Sequence, residues 1–178
     1  MRKLHTREIE GQRQTPLSLP QASRLPVIAL LDNVRSLYNV GSMFRTADGT
    51  LLEGMYLTGY TPRPPRKEID KTALGATHSL PWEYFANPID AITRAKERGA
   101  AICILEQTTN SRRYHEVRRE EFPICLVVGN ELTGVSDAIL AEADFAIDIP
   151  MFGIKHSLNA AVAFGVAVFE LSRIWRSP

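Results

Sequence analysis

Three groups of polar and small residues could carry chemistry in this chain, and each follows a run of apolar residues. The first group has the sequence NVRSLYNVGSMFR at residues 33–45, centred on Asn39, Gly41 and Arg45. If a helix begins near Asn39, the free N–H groups of its first turn, around Gly41 and Ser42, can bind an anion. The Arg45 guanidinium can then hold a phosphate or a carboxylate through two hydrogen bonds. An ordinary surface helix with an N-cap and an ion pair explains the same residues. This group alone therefore does not decide between an anion-binding site and a plain helix.

The second group, GNELTGVS at residues 129–136, follows an apolar run that ends at Val128. Gly129 lacks a side chain, which lets a ligand approach the backbone, and Glu131 adds a carboxylate at the end of the strand. Neither the Gly-x-Gly-x-x-Gly pattern of dinucleotide-binding proteins nor a Gly-Lys-Ser phosphate loop occurs. A plain strand–turn–helix connection, with Ser136 or Asp137 as the helix cap, stays open as an alternative.

The third group, PMFGIKHSLN at residues 150–159, precedes a strongly apolar segment. A role as the N-cap of the next helix explains either Ser157 or Asn159. An N-cap role does not explain why Lys155 and His156 also lie at the same strand end. His156 alone is more typical of a surface residue than of a catalytic one, so this group gains its weight from the other two.

The elements that must position these groups follow from the apolar periodicity. Strands are predicted for the short apolar runs at residues 27–31, 54–58, 101–105, 124–128 and 146–149. Helices are predicted at residues 40–52 and 87–99, from about Ser136 and from about Ser157, with short turns at 6–14 and 71–76 and loops at 59–67 and 108–121. This alternation is typical of an α/β domain with a mostly parallel sheet, whose ligands bind at the carboxyl ends of the strands. All three groups lie at such ends.

The composition is that of one packed domain, since 44% of the 178 residues are hydrophobic and 23% are charged. We divide the chain into a basic arm, residues 1–25, with a net charge of +3, and a domain, residues 26–178. Cys103 and Cys125 each lie in a strand-like run and are interpreted as small buried hydrophobic residues, so no disulfide and no metal site is expected. No apolar run approaches the ~20 residues of a membrane span, and no secretory signal is present, which favours the cytoplasm.

Taken together, the three groups resemble the three motifs of the SpoU family of RNA ribose 2′-O-methyltransferases, in the SPOUT superfamily. The matching segments, which lie in the right order and each after a predicted strand, are NVGSMFRTA (39–47), VGNELTG (128–134) and IPMFGIKHSLN (149–159). KTALGA at residues 71–76 is also similar, and the resemblance covers about residues 27–171. One departure occurs: family members often continue Ser-Leu-Asn with Val-Ser-Val-Ala, whereas Ala160 and Ala161 follow Asn159 here, which could alter helix packing or a dimer contact.

The resemblance implies a mostly parallel α/β sheet with helices on both faces and a C-terminal deep trefoil knot, so that residues 26–178 would form a SPOUT methyltransferase domain. It implies S-adenosylmethionine as the cofactor, bound bent in the knot, and a homodimer with the active site near the subunit interface. The substrate would be the ribose 2′-hydroxyl of tRNA or rRNA, since DNA has no such group. A short arm in place of a separate recognition domain favours tRNA, and neither DNA nor a membrane is expected as a partner.

The resemblance also implies roles for individual residues. The implied cofactor site comprises Leu105, Glu106, Gly129, Ile149, Met151, Ser157 and Leu158. The implied catalytic residues are Asn39, Arg45, Glu131, Ser157 and Asn159. RNA contacts are expected from the basic arm and from Arg45, Arg63, Arg66 and Lys67. Because the pKa of arginine exceeds ~12, we expect Arg45 to hold a phosphate and polarise the hydroxyl rather than act as a base, with Asn39 and Glu131 holding Arg45 in place.

Three alternatives remain at this point. The chain could be a non-catalytic RNA-binding dimeric module of the same fold, although the five implied catalytic residues are all present. It could methylate a base, as some SPOUT relatives do, although Asn39 and Arg45 favour ribose. It could also be a nucleotide-dependent enzyme on an ordinary α/β sheet, against which the absence of both phosphate-loop patterns argues.

Overall fold

A computed structural model describes residues 1–11 and 13–177 of the chain. Its centre is a seven-stranded sheet in which every pair of neighbouring strands is parallel. The strands are β1 (Leu25–Asp32), β2 (Leu52–Thr58), β3 (Trp82–Phe85), β4 (Ala101–Leu105), β5 (Arg112–Arg113), β6 (Ile124–Val128) and β7 (Phe145–Asp148). Their order across the sheet is β3-β2-β1-β6-β4-β7-β5. The predicted α/β class and parallel sheet are confirmed.

Helices cover both faces of the sheet. The helices that do so are α2 (Leu37–Gly49), α3 (Lys67–Ala73), α4 (Ala76–Ser79), α5 (Pro88–Glu97), α6 (Asp137–Leu140) and α7 (Ala160–Arg176), whereas α1 (Thr6–Glu10) in the arm has no buried residue. Side chains of β1 alternate between two cores, with Val27 and Ala29 on one face and Ile28 and Leu30 on the other. The first core also holds residues of α2, α3, α4 and α7, and the second holds residues of α5 and α6. A sheet buried on both faces explains why its strands are continuous apolar runs.

Three helix boundaries differ from the prediction because side-chain caps and backbone turns outweigh apolar spacing. Helix α2 begins at Leu37, where the Ser36 side chain accepts a hydrogen bond from Asn39 N, and it ends before the strand residue Leu52. The turn expected at residues 71–76 spans the break between α3 and α4, at Leu74 and Gly75, both with positive φ. The last helix begins at Ala160 rather than near Ser157.

Two strands were not predicted. Strand β3 has the sequence WEYF and pairs with β2. Three of its side chains are half-buried and that of Glu83 is exposed, so the strand has no continuous apolar run. Strand β5 has two arginines and lies within the polar stretch expected to be a loop. Both are edge strands, where backbone pairing with one neighbour replaces the apolar signal of a central strand.

The arm and the cysteines follow the prediction more closely. The arm contains α1, which lies within the turn expected at residues 6–14. Gln12 of this turn and Pro178 at the end of the predicted domain lie outside the described residues. Strand β1 begins at Leu25, one residue before the expected domain start. Cys103 and Cys125 are free, buried and in different cores, and burial raises the pKa of Cys125 to about 12. No helix formed by residues 1–11 or 13–177 is long and apolar enough to cross a membrane.

Candidate active site

The loops that follow β4, β6 and β7 enclose a cavity of about 370 Å³ at the carboxyl edge of the sheet. All seven residues implied for the cofactor line this cavity, namely Leu105, Glu106, Gly129, Ile149, Met151, Ser157 and Leu158. Of the implied catalytic set, Glu131, Ser157 and Asn159 also line it. Topology therefore brings three segments that are far apart in sequence to one place.

The Glu131 carboxylate joins the second group to the first. It accepts hydrogen bonds from Arg35 N at 2.9 Å, from Ser36 N at 3.1 Å and from Asn39 Nδ2 at 2.9 Å. Burial acts to raise the pKa of Glu131, but these hydrogen bonds outweigh it and hold the pKa below its ordinary value. The contribution of the carboxylate to stability is therefore complete above the pKa of a free glutamate and is lost as pH falls through the lowered value.

Asn159 joins the third group to the same network. Its Oδ1 accepts hydrogen bonds from Ala161 N at 2.9 Å and Val162 N at 3.3 Å, which caps α7. Its Nδ2 donates to Asn39 Oδ1 at 3.2 Å. A continuous chain of hydrogen bonds thus links Glu131, Asn39 and Asn159, one residue from each of the three sequence groups.

Gly129 is required by a tight turn directly above the cavity. Asn130 and Gly134 exchange two backbone hydrogen bonds of 2.9 Å, which folds the 130–134 segment back on the end of β6. A Cβ on Gly129 would collide with the backbone of Gly134 and Val135. The missing side chain serves this close backbone approach, and Gly134 adopts the positive φ that the turn needs.

Two polar residues that support this turn were not singled out from the sequence. The buried Asn130 donates from Nδ2 to the carbonyl oxygen of Asn33 at 2.8 Å, and its Oδ1 accepts from Leu132 N and Thr133 N. The buried Asp32 carboxylate accepts from Ser136 N at 2.8 Å. The signal that could have found them is their position as the first polar residues at the carboxyl ends of two buried strands, Asp32 as the last residue of β1 and Asn130 just after β6.

Two expectations about the first group are wrong. Gly41 lies beyond the first turn of α2, because the helix begins at Leu37, and a Cβ there would collide with the Ile69 carbonyl oxygen and the Thr72 hydroxyl of α3. This glycine therefore lets two helices pack closely and is not one of the free N–H groups at the helix start. Arg45 is exposed and is not held by Glu131, whose oxygens bind Asn39 and two backbone N–H groups instead. Within residues 1–11 and 13–177, the Arg45 guanidinium forms no hydrogen bond or ion pair.

Three of the basic residues expected to contact RNA, Arg63, Arg66 and Lys67, are exposed and lie outside the cavity, whereas Arg24 of the arm is half-buried and donates to the carbonyl oxygens of Leu52 and Ser79. The Arg63 guanidinium lies 4.0 Å above the centre of the Tyr84 ring, a cation–π contact. Arg66 borders a separate cleft, and Lys67 is the first residue of α3. The structure therefore groups them near β2 and β3, to one side of the cavity.

The cavity has the chemistry of a nucleoside-binding site. Leu105, Ile149, Met151 and Leu158 supply apolar walls, and its volume is within the range of pockets that hold small molecules. The carboxylates of Glu106 and Asp148 also border it and can accept hydrogen bonds from hydroxyl or amino groups. Gln107 Nε2 donates to the carbonyl oxygen of His156 at 2.6 Å, which ties the loop after β4 to the loop after β7. These residues fit a cofactor such as S-adenosylmethionine. The described residues contain no cluster of potential metal ligands.

Proteins with sequences similar to this chain are named as RNA methyltransferases. The chain is 34% identical over 148 residues to the tRNA (guanosine(18)-2′-O)-methyltransferase of Aquifex aeolicus (strain VF5), covering 83% of this chain and 69% of that protein. It is 30% identical over 150 residues to a putative TrmH family tRNA/rRNA methyltransferase of Staphylococcus saprophyticus, covering 84% of this chain. The chain spans only 59% of the length of that relative.

Solved structures of RNA-modifying enzymes also superpose on this chain. The AdoMet-bound rRNA methyltransferase from Sinorhizobium meliloti superposes with a TM-score of 0.80 at 30% identity, covering 93% of this chain and 63% of that one. The A. aeolicus TrmH/SpoU tRNA modifying enzyme superposes with a TM-score of 0.75 at 31% identity, covering 85% and 76%. The model of the SpoU rRNA Methylase family matches residues 26–169, which include all three sequence groups. This chain belongs to the SpoU rRNA Methylase family.

Proposed function

We propose that this protein is an S-adenosylmethionine-dependent methyltransferase that modifies a ribose 2′-hydroxyl of tRNA or rRNA. The observation that carries the proposal is the cavity described above, which borders the hydrogen-bonded chain of Glu131, Asn39 and Asn159. The names of the relatives support it, since they describe tRNA and rRNA methyltransferases, one of them specific for a 2′-O position. Among residues 1–11 and 13–177, no comparable feature favours a nucleotide-dependent enzyme.

In this proposal the loops after β4, β6 and β7 hold the cofactor. Leu105, Ile149, Met151 and Leu158 enclose its apolar part, while Glu106 offers a hydrogen-bond acceptor. The backbone of Gly129 and the side chain of Ser157 complete the wall. When bound, S-adenosylmethionine supplies a methyl group activated by a sulfonium ion. The solved rRNA methyltransferase from S. meliloti is AdoMet-bound, which supports this choice of cofactor.

The residues of the chain orient the ribose and stabilise its developing charge. A ribose hydroxyl is a poor nucleophile at neutral pH and must be held in line with the methyl group while its proton is removed. Asn159 and Ser157 border the cavity and position the hydroxyl, and Glu131 fixes Asn39, which in turn contacts Asn159. The exposed Arg45 binds the phosphate of the target nucleotide and polarises the hydroxyl. The proton then passes to solvent.

The proposed RNA contacts are the exposed cations near this site, Arg45, Arg63, Arg66 and Lys67, together with the basic arm of residues 1–25. We assign residues 26–178 to the catalytic domain. The relative with 34% identity is named a tRNA methyltransferase, which favours tRNA over rRNA in this proposal. A tRNA or rRNA substrate places the proposed activity in the cytoplasm.

We further propose the deep trefoil knot of the SPOUT superfamily for the C-terminal part of the chain. Two observations support it. Strand β4 lies between β6 and β7 in the sheet although it precedes both in sequence. The hydrogen bond from Gln107 to His156 also holds the 149–159 segment against the loop after β4.

We propose that α7 forms a homodimer interface. Its outer face carries Val162, Val166 and Phe169, which are 53%, 36% and 59% exposed and lie one turn apart. An apolar stripe of this kind on a surface helix marks a protein contact. Replacing Phe169 with Glu is therefore expected to convert a dimer into a monomer, because the carboxylate would lose its hydration at the interface.

Sedimentation equilibrium of the purified protein measures this outcome. Arg94→Ala, which removes an exposed arginine on α5, on the opposite face of the sheet from α7, should leave the dimer intact. A Phe169→Glu variant that sediments as a dimer would show that α7 is not the interface.

Calorimetric titration with S-adenosylmethionine tests the proposed function against a non-catalytic RNA-binding module. An enzyme should bind the cofactor at one site per chain, with a negative heat-capacity change from burial of apolar surface. RNA binding without cofactor binding would favour the module.

A further inference from the structure

A second cleft, of about 560 Å³, lies beside the cavity on the side of β1 and β2. Asn130 and Leu132 border both spaces, so the cleft is adjacent to the proposed methyl-transfer site, with the 130–134 turn between them. The cleft also contains Tyr60, Arg35 and Arg66, and no acidic residue lines it. A group attached to a ribose at the cavity could therefore extend directly into the cleft.

Tyr60 is fixed at both ends, yet its ring faces solvent. Its backbone N–H donates to Asn33 Oδ1 at 3.1 Å, and its hydroxyl accepts a hydrogen bond from Asn130 Nδ2 at 2.7 Å. The residue is nevertheless 61% exposed. Both hydrogen bonds are made to the loops that form the site, so the aromatic face is held in one orientation before any ligand binds.

The surroundings of Tyr60 suit an unpaired nucleotide. Arg35 and Arg66 are exposed, and within residues 1–11 and 13–177 neither guanidinium takes part in an ion pair or a hydrogen bond. Leu132, on the other side of the cleft, is 77% exposed and adds an apolar surface. An aromatic ring with free arginines nearby is the combination by which proteins bind single-stranded RNA, where the ring stacks on a base and the cations contact phosphates.

We infer that Tyr60 is a stacking platform for an unpaired base next to the methylated ribose, with Arg35 and Arg66 holding the phosphates on either side. This inference rests on the proposed function and deepens it, because it limits the substrate to an RNA whose target nucleotide has an unpaired neighbour. In a regular duplex each base stays stacked between its neighbours and cannot reach this platform.

The test compares Tyr60→Leu with Tyr60→Phe in methyl transfer to total RNA from cells that lack the enzyme. Tyr60→Leu is expected to raise the KM for RNA roughly 5- to 100-fold, the loss expected for one stacked base. Its kcat and its affinity for S-adenosylmethionine should change little, since Tyr60 does not line the cavity and Asn130 keeps its hydrogen bonds to Asn33, Leu132 and Thr133. Tyr60→Phe keeps the ring but not the hydrogen bond to Asn130, so it should stay close to the original protein.

The two variants separate stacking from a structural role. If Tyr60 only anchors Asn130 through its hydroxyl, Tyr60→Phe will be as impaired as Tyr60→Leu, and the inference is wrong. It is also wrong if Tyr60→Leu leaves the KM for RNA unchanged while the original protein is active. If the original protein transfers no methyl group to any RNA, the proposed function fails and this inference fails with it.

The cations have their own readout in the salt dependence of RNA binding. Arg35→Ala and Arg66→Ala should each lower the slope of log K against log salt by about 1, as expected for the loss of one phosphate contact. Arg94→Ala, on α5 and outside the cleft, is the matched control and should leave the slope unchanged. Equal slopes for all three variants would overturn the assignment of the phosphates to this cleft.

Discussion

Replacing Arg45 with alanine is expected to lower the rate of methyl transfer to RNA by roughly 10²- to 10³-fold, the usual cost of losing a group that stabilises charge in a transition state. Arg45 is exposed and does not line the cavity, so the affinity for S-adenosylmethionine should stay the same. Single-turnover methyl transfer and calorimetry measure the two quantities. Arg94→Ala is the matched control, because this exposed arginine lies on α5, on the other face of the sheet.

Arg45→Lys separates two ways in which Arg45 could act. A phosphate clamp needs the planar guanidinium and its paired donors, so lysine should restore little activity and leave the shape of the pH–rate profile unchanged. Lysine with full activity and a shifted profile would instead favour proton transfer by residue 45. An Arg45→Ala variant with undiminished activity would remove this residue from the mechanism altogether.

Gly129→Ala is expected to abolish detectable binding of S-adenosylmethionine and to lower the free energy of unfolding by about 1–3 kcal/mol, the usual cost of overpacking. The added Cβ collides with the backbone of Gly134 and Val135, which cannot move aside as a flexible side chain can. The 130–134 turn must then lift away from β6. The cavity loses its wall, and Glu131 loses its position beside Asn39. Calorimetry and urea denaturation report the two effects.

Gly153→Ala provides the control, because a Cβ at this position in the loop after β7 meets no atom within 4 Å. It should bind the cofactor normally and unfold at the same urea concentration. A Gly129→Ala variant with normal cofactor affinity would mean that the 130–134 turn does not form the binding site.

The central part of the fold could be predicted because burial on both faces leaves a plain signal. Strands β1, β4 and β6 are continuous apolar runs, and their predicted bounds lie within two residues of those in the structure. Strands β3 and β5 were missed because edge strands form by backbone pairing, which side-chain periodicity does not record. The start of α7 was placed early because its apolar face extends to Leu158, whereas the cap on Asn159 sets the first helical residue.

The sequence predicts which residues form the candidate site better than it predicts the hydrogen bonds between them. The motif positions gathered around one cavity because parallel strands end at one edge of the sheet. The partner of Glu131 was predicted wrongly, as Arg45, because side-chain geometry across two loops depends on where α2 begins. Asn130 and Tyr60 form a contact between residues 70 positions apart, which a single sequence does not reveal.

Transfer of a labelled methyl group to total RNA, followed by digestion to nucleosides, tests the central claim most directly. The assigned cavity and the network of Glu131, Asn39 and Asn159 predict label in a 2′-O-methylated nucleoside, and the Gly129→Ala variant should produce none. Label on a base would contradict the assignment to ribose. S-adenosylmethionine binding with no label in any RNA would contradict the claim that this site performs methyl transfer to RNA.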